Sequence, residues 1–147
     1  MAEIEVRIHE GSRDSLLPLF RMADESESEV LTYYEMGNVL VAYERGAIVG
    51  LAHVVEEAGA LEIVNLAVVP QRRGKGIGKR LIEEAARFSR LSNTRRLVVC
   101  TGAWETSNII FYLKRGFRIF NVVQNFFTSE KGYDLAVRDQ VQFEMTV

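Results

Sequence analysis

Ile4, Val6 and Ile8 alternate with polar neighbours, the period of a strand with one covered face. Ser12 or Asp14 stands where it can cap a following helix that carries Leu16, Leu17, Leu19, Phe20 and Met22. Ser26–Met36 predicts a second, acidic helix bearing Val30, Tyr33 and Tyr34, broken by Gly37-Asn38. Val39–Tyr43 and Ile48–Val55 predict strands joined at Arg45-Gly46. Leu61–Val69 predicts a third, reached through the turn Glu56–Gly59 and ended by Pro70. Loops this short predict an antiparallel meander. The period then changes. Ile77, Leu81, Ala85 and Phe88 recur at steps of 4, 4 and 3, which predicts a helix from about Gly76 to Leu91. Leu97–Thr101 reads as an apolar strand, and Ser107–Arg115 as a helix with Gly116 at its C-terminal cap position. Phe117–Val123 and Val141–Thr146 read as closing strands, while the polar stretch Thr128–Asp139 fits no period. This order predicts a mixed sheet with packed helices, α/β in the α+β sense.

The chain has 147 residues, 48% of them apolar and 26% charged, which predicts a single domain over 1–147 with a core of its own. No apolar run approaches the ~20 residues that span a bilayer. Met1-Ala2-Glu3-Ile4-Glu5 carries neither a basic nor an apolar leader region, so the expectation is a soluble cytoplasmic protein without a membrane partner. Cys100 is the single cysteine, and His9 and His53 are the two histidines, which excludes an internal disulfide and predicts no metal site. The net charge of −2 disfavours a general nucleic-acid binder. That balance hides an asymmetry: Met22–Glu44 holds six acids and no Lys or Arg, whereas Gln71–Arg96 holds nine bases and two acids. Such a split fits one anionic and one cationic binding face, or simply two solvated faces.

The chemistry concentrates at Val68-Val69-Pro70-Gln71-Arg72-Arg73-Gly74-Lys75-Gly76-Ile77-Gly78-Lys79. A strand ends at a proline, a glycine-rich loop follows, and a helix begins. Glycines let successive N–H groups face one concavity and the helix start adds partial positive charge, an arrangement suited to phosphate or pyrophosphate. The P-loop pattern fails, because Arg80 follows Gly78-Lys79 and Arg73 stands where its first glycine belongs. The dinucleotide fingerprint fails as well, with Lys79 or Leu81 where its third glycine belongs.

Gln71-x-x-Gly74-x-Gly76 resembles the acetyl-CoA pyrophosphate loop of the GNAT superfamily of N-acetyltransferases. Asn65–Pro70 resembles that family's fourth strand. Asn108 with Phe111-Tyr112-Leu113-Lys114-Arg115-Gly116-Phe117 resembles its second signature, a helix ending in Tyr-x-x-x-Gly-Phe. The resemblance covers about Val39 to Phe120. It implies a mixed, mostly antiparallel sheet of six to seven strands flanked by about four helices. It also implies acetyl-CoA as cofactor and direct attack of an amine on the thioester in a ternary complex. Arg73, Gly74, Lys75, Gly76, Ile77, Gly78, Lys79 and Asn108 would bind the cofactor. Leu66 and Val68 would line the acyl site, with the Val68 N–H on the thioester carbonyl. Tyr112 would protonate the departing thiolate. Glu62, six residues before Val68, would take the amine's proton, with Glu29 and Glu35 as lesser candidates.

Bland readings stand beside these. Glu62 fits an exposed strand position, Tyr112 a core aromatic, Cys100 a small buried hydrophobe and His53 a structural histidine. Trp104 and Phe126-Phe127 fit an acceptor-pocket border or ordinary packing. The acidic N-terminal helices favour a small cationic primary amine as acceptor. A protein (lysine or N-terminal) acetyltransferase and a non-catalytic acyl-CoA-binding regulatory module are the alternatives, and a homodimer stays open. An RNA-binding reading lacks aromatics among the bases of Gln71–Arg96, where only Phe88 occurs.

Overall fold

The alternating apolar segments pair where their short turns put them, in a computed structural model that describes residues 3–24, 26–133 and 138–147. The strands are β1 (Ile4–Ile8), β2 (Asn38–Glu44), β3 (Ala47–Glu57), β4 (Ala60–Val68), β5 (Arg96–Gly102), β6 (Arg118–Val123) and β7 (Gln140–Thr146). The helices are α1 (Leu17–Ala23), α2 (Glu27–Tyr33), α3 (Ile77–Leu91) and α4 (Thr106–Lys114). Seven strands form one sheet in the order β1-β2-β3-β4-β5-β7-β6. Each neighbouring pair is antiparallel except β4–β5, which α3 connects as a crossover. No helix among the described residues is long and apolar enough to cross a membrane.

The two faces of the sheet are covered separately. The apolar stripe of α3 (Ile77, Leu81, Ile82, Ala85) packs on Ala52, Val54, Leu61, Ile63 and Val99, and Tyr112 and Phe117 join this cluster. Leu19 and Phe20 of α1 and Val30 of α2 cover Val39, Val41, Leu51 and Ala67 on the other face. A β-bulge divides β4 between the two. His53 pairs with Asn65 and Val54 with Ile63, which leaves Val64 as the extra residue. Leu61 and Ile63 therefore point toward α3, as do Leu66 and Val68, whereas Asn65 and Ala67 point toward α1 and α2. Strict alternation would have put 61, 63, 65 and 67 on one face.

Element ends differ modestly from the sequence expectation. Neither Ser12 nor Asp14 caps α1. Asp14–Leu16 form a 3₁₀ turn and α1 starts with Pro18 in its first turn, a position its fixed φ suits. Ser26 caps α2, its Oγ accepting from the Glu29 N–H at 3.2 Å, and the helix ends at Tyr33, short of the expected Met36. Within Thr128–Asp139, Ser129–Lys131 form a 3₁₀ turn. Residues 134–137, like Glu25 of the acidic stretch and the first two residues, lie outside the described ones.

Candidate active site

β4 and β5 run together only briefly. Their parallel register is Leu61↔Leu97, Glu62↔Val98 and Ile63↔Val99. Beyond it the strands diverge around a cavity of about 730 Å³, walled by residues 63–68 of β4, 99–101 of β5, Met22 and Ala23 at the end of α1, the start of α3 and one side of α4 along its length. The Val69 N–H donates to the Val49 carbonyl at 2.9 Å, toward β3. Amide direction alternates along a strand, so the Val68 N–H points away from β3, into the gap. The Val68 carbonyl points the same way and accepts from Arg73 Nε at 3.0 Å.

The loop closes the wide end. Pro70–Arg72 form a 3₁₀ turn, and Gly74 (φ +76°) and Gly76 (φ +84°) turn the chain into α3 through the left-handed region that side chains resist. The first intrahelical bond runs from the Arg80 N–H to the Gly76 carbonyl at 3.0 Å. The N–H groups of Ile77, Gly78 and Lys79 thus have no acceptor within the helix, and all three residues line the cavity. Gly78 serves differently: a Cβ there would lie 3.1 Å from Phe111 Cζ, so its small size lets α3 meet α4.

Of the loop cations, Arg72 is paired with Glu44 at 2.6 Å and Arg73 is held on Val68. Lys79 is on the wall, whereas Lys75 is exposed and off it. Arg115, which the sequence reading did not include, also lines the cavity. Its signal was present as a cation directly after the helix of the second signature. Glu105 and Ser107, at the start of α4, complete that wall and were missed as well.

Asn108 and Tyr112 reach the cavity one helical turn apart, and Asn108 Nδ2 donates to Thr101 Oγ1 at 3.3 Å. Tyr112 is 6% exposed, its ring wedged against Phe111, Phe117 and Phe143 at 5.3–5.7 Å. Burial first, then nearby Cys100, pushes its phenol up, so it stays protonated at neutral pH. Cys100 departs from the expectation of a buried core residue. It is the first β5 residue past the last β4 pair, half-buried on the cavity wall. Burial, then Glu62, pushes its thiol up to about 12, which removes it as a nucleophile.

Glu62 lies between Leu61 and Ile63 and so faces the α1–α2 side. It is half-buried, behind Cys100 and off the cavity wall. Burial, then Glu57, raises its carboxyl. Across the bulge, Asn65 faces the same side and lines the cavity. Its Nδ2 donates to the Phe20 carbonyl at 2.9 Å and to Tyr33 Oη at 3.0 Å, while its Oδ1 is buried with no donor among the described residues. Tyr33 and Tyr133 both donate to Asp24, at 3.2 and 2.7 Å. His53, Asn65's cross-strand partner, is fully buried. Its Nε2 donates to the Met36 carbonyl at 2.6 Å, and burial, with the Arg13 charge adding to it, holds its pKa down at about 4. It is a neutral, structural histidine.

Glu29 and Glu35 lie off the wall. So do Trp104, Phe126 and Phe127, which form an edge-to-face row with Tyr133 at 4.8–5.1 Å. Tyr133 ties that row to Asp24, and the nearby Lys131 carbonyl accepts from Ser26 Oγ at the α1–α2 junction. Among the described residues no three metal-ligating side chains cluster. The cavity wall therefore carries two kinds of polar group: N–H groups and cations at the start of α3 and the end of α4, and, as acceptors, the orphaned Asn65 amide oxygen on the α1–α2 side and the Glu105 carboxylate at the start of α4.

A family model described as an acetyltransferase (GNAT) domain matches residues 35–119. Among curated proteins the chain is similar to an uncharacterized N-acetyltransferase, YvbK, of Bacillus subtilis (strain 168). The identity is 27% over 136 residues, covering 92% of this chain and 88% of that one. Among solved structures it is similar to an IAA acetyltransferase from Bacillus cereus ATCC 14579, with TM-score 0.89, 28% identity and 99% and 100% of the two chains covered. It is also similar to a Bacillus subtilis acetyltransferase in complex with CoA, with TM-score 0.88, 26% identity and 99% of each chain covered.

Proposed function

This chain belongs to the GNAT acetyltransferase family, and on that footing we propose that it moves an acetyl group from acetyl-CoA to a primary amine of a small cationic molecule. The observation that carries the reading is the split between β4 and β5 beside the bare start of α3. It joins an anion cradle to a free strand edge within one cavity. The residues present fit the cofactor. The N–H groups of Ile77, Gly78 and Lys79, with Lys79 and Arg73, suit a pyrophosphate. Leu66, Val68 and Asn108 offer an apolar wall and polar groups along which a pantetheine arm can run.

Bound acetyl-CoA supplies the thioester carbon that the amine attacks. The Val68 N–H donates to the carbonyl oxygen as charge develops there, from a strand position that needs no rearrangement. Tyr112 Oη gives its proton to the departing sulfur. A phenol is a weaker acid than a thiol, so this transfer accompanies cleavage of the carbon–sulfur bond. Glu62 takes the proton that the amine must lose, across the Cys100 side of the wall. Its raised carboxyl makes it a better base than a solvated glutamate. The acceptor preference is supported by two acceptors on the cavity wall, Asn65 Oδ1 on the α1–α2 side and the Glu105 carboxylate at the start of α4, which suit an ammonium ion.

The test is amine-dependent release of free CoA across polyamines, aminoglycosides, amino acids and basic peptides. Turnover on one small cationic class, reduced by Glu62→Gln and by Tyr112→Phe, is expected. Turnover confined to peptides would replace the acceptor assignment, and binding of acetyl-CoA without turnover on any amine would replace the catalytic one.

A further inference from the structure

We propose that Arg115 forms a separate subsite for the 3′-phosphate of coenzyme A, apart from the pyrophosphate cradle at the start of α3. The proposal rests on the acetyl-CoA reading above. Arg115 is the C-terminal cap residue of α4 and lines the cavity. Its guanidinium carbon stands 5.6 Å from the centre of the Phe111 ring. Phe111 itself abuts Gly78 in the first turn of α3. Arg115 therefore sits one aromatic ring away from the cradle, on the α4 side.

The other cations of the cavity are committed or local to the loop. Arg72 is paired with Glu44, Arg73 is held on the Val68 carbonyl, and Lys79 belongs to the first turn of α3. Arg115 makes no ion pair among the described residues, and its Nε is buried with no acceptor. A guanidinium held this way, over an aromatic ring, loses little freedom on meeting an oxyanion and presents a planar fork to it.

The ligand's chemistry completes the argument. Coenzyme A carries two adjacent phosphates in its pyrophosphate and a third on the ribose 3′-oxygen. The third is a monoester with a charge near −2 at neutral pH. One helix start can cradle the adjacent pair. The third phosphate lies beyond the ribose, and a cation away from the cradle can pair with it. Arg115 is the cavity cation placed away from the loop.

The experiment is calorimetric titration of the intact protein with coenzyme A and with 3′-dephospho-coenzyme A, in wild type, Arg115→Gln and Arg115→Lys. Wild type should bind coenzyme A about tenfold more tightly than the dephospho form, the size of one charge-assisted hydrogen bond. Arg115→Gln should abolish that preference by weakening coenzyme A alone, and Arg115→Lys should retain part of it. The dephospho form also reports folding, because its affinity should not move. Equal weakening of both ligands by Arg115→Gln overturns the subsite and leaves the acetyl-CoA reading standing. A wild-type preference that survives in Arg115→Gln does the same. Failure of wild type to bind either ligand overturns the reading on which the subsite rests.

Discussion

Replacing Gly76 by valine tests the link between backbone conformation and cofactor binding. Gly76 has φ +84° and ψ 7°, and a Cβ built there would meet nothing within 4 Å. Space is not the obstacle. The cost is the left-handed backbone itself, about 1 kcal/mol for alanine and about 2 kcal/mol for a branched side chain. That free energy must appear in one of two places. If the loop keeps its shape, the folded state carries the strain, and the melting temperature falls by ~2–4 °C per kcal/mol for a chain of this size. If the loop relaxes, the N–H groups of Ile77–Lys79 lose their aim, and restoring it on binding weakens acetyl-CoA by about thirtyfold for 2 kcal/mol. The control is Gly78→Ala, two residues on. Gly78 is helical, and its Cβ would crowd only the half-buried Phe111 ring, at 3.1 Å. The gain in helix propensity, up to about 1 kcal/mol, offsets that crowding. Thermal melts and calorimetric titration of the variants, with Gly76→Ala as the intermediate, read both quantities. Wild-type stability together with wild-type affinity in Gly76→Val would refute the reasoning.

The other predictions concern protons. Glu62→Gln should lower kcat/KM by roughly 100-fold or more and remove from the pH–rate profile the rising limb that follows ionisation of a raised carboxyl; an unchanged profile would take the proton from some other route. Tyr112→Phe should lower kcat by about 100-fold with acetyl-CoA affinity nearly unmoved, and an undiminished kcat would return Tyr112 to a packing role. His53 binds its proton more weakly in the folded protein (about 4) than in the unfolded chain (6.5), so its contribution to stability is complete above pH 6.5 and is lost as pH falls toward 4. Urea unfolding at pH 7 and pH 5 should show a loss about 2 kcal/mol larger in wild type than in His53→Gln, and equal losses would contradict the buried, neutral state.

The meander, the crossover helix and the loop were legible because each rests on local rules: short turns, a helical stripe, and glycines between a proline and a helix. The bulge at Val64 was not, because an extra residue in one strand is visible only against its partner. Its consequence was hidden with it, namely that Glu62 and Asn65 face one side and Leu66 and Val68 the other. Cys100 read as core because its neighbours are apolar; its place on the wall follows from where the β4–β5 register stops, a property of two strands separated by a helix. Lys75 carried the same charge signal as Lys79, but only one of them sits where α3 turns toward the cavity. Arg115 needed the contact between Phe111 and Gly78 to bring the end of α4 beside the start of α3.

The most direct test of the account is calorimetric titration of the intact wild-type protein with acetyl-CoA. Saturable one-to-one binding that Gly76→Val weakens is the predicted result. A protein that takes up no heat from acetyl-CoA or from coenzyme A at millimolar concentration would contradict the assignment of the cavity between β4 and β5, and with it the function.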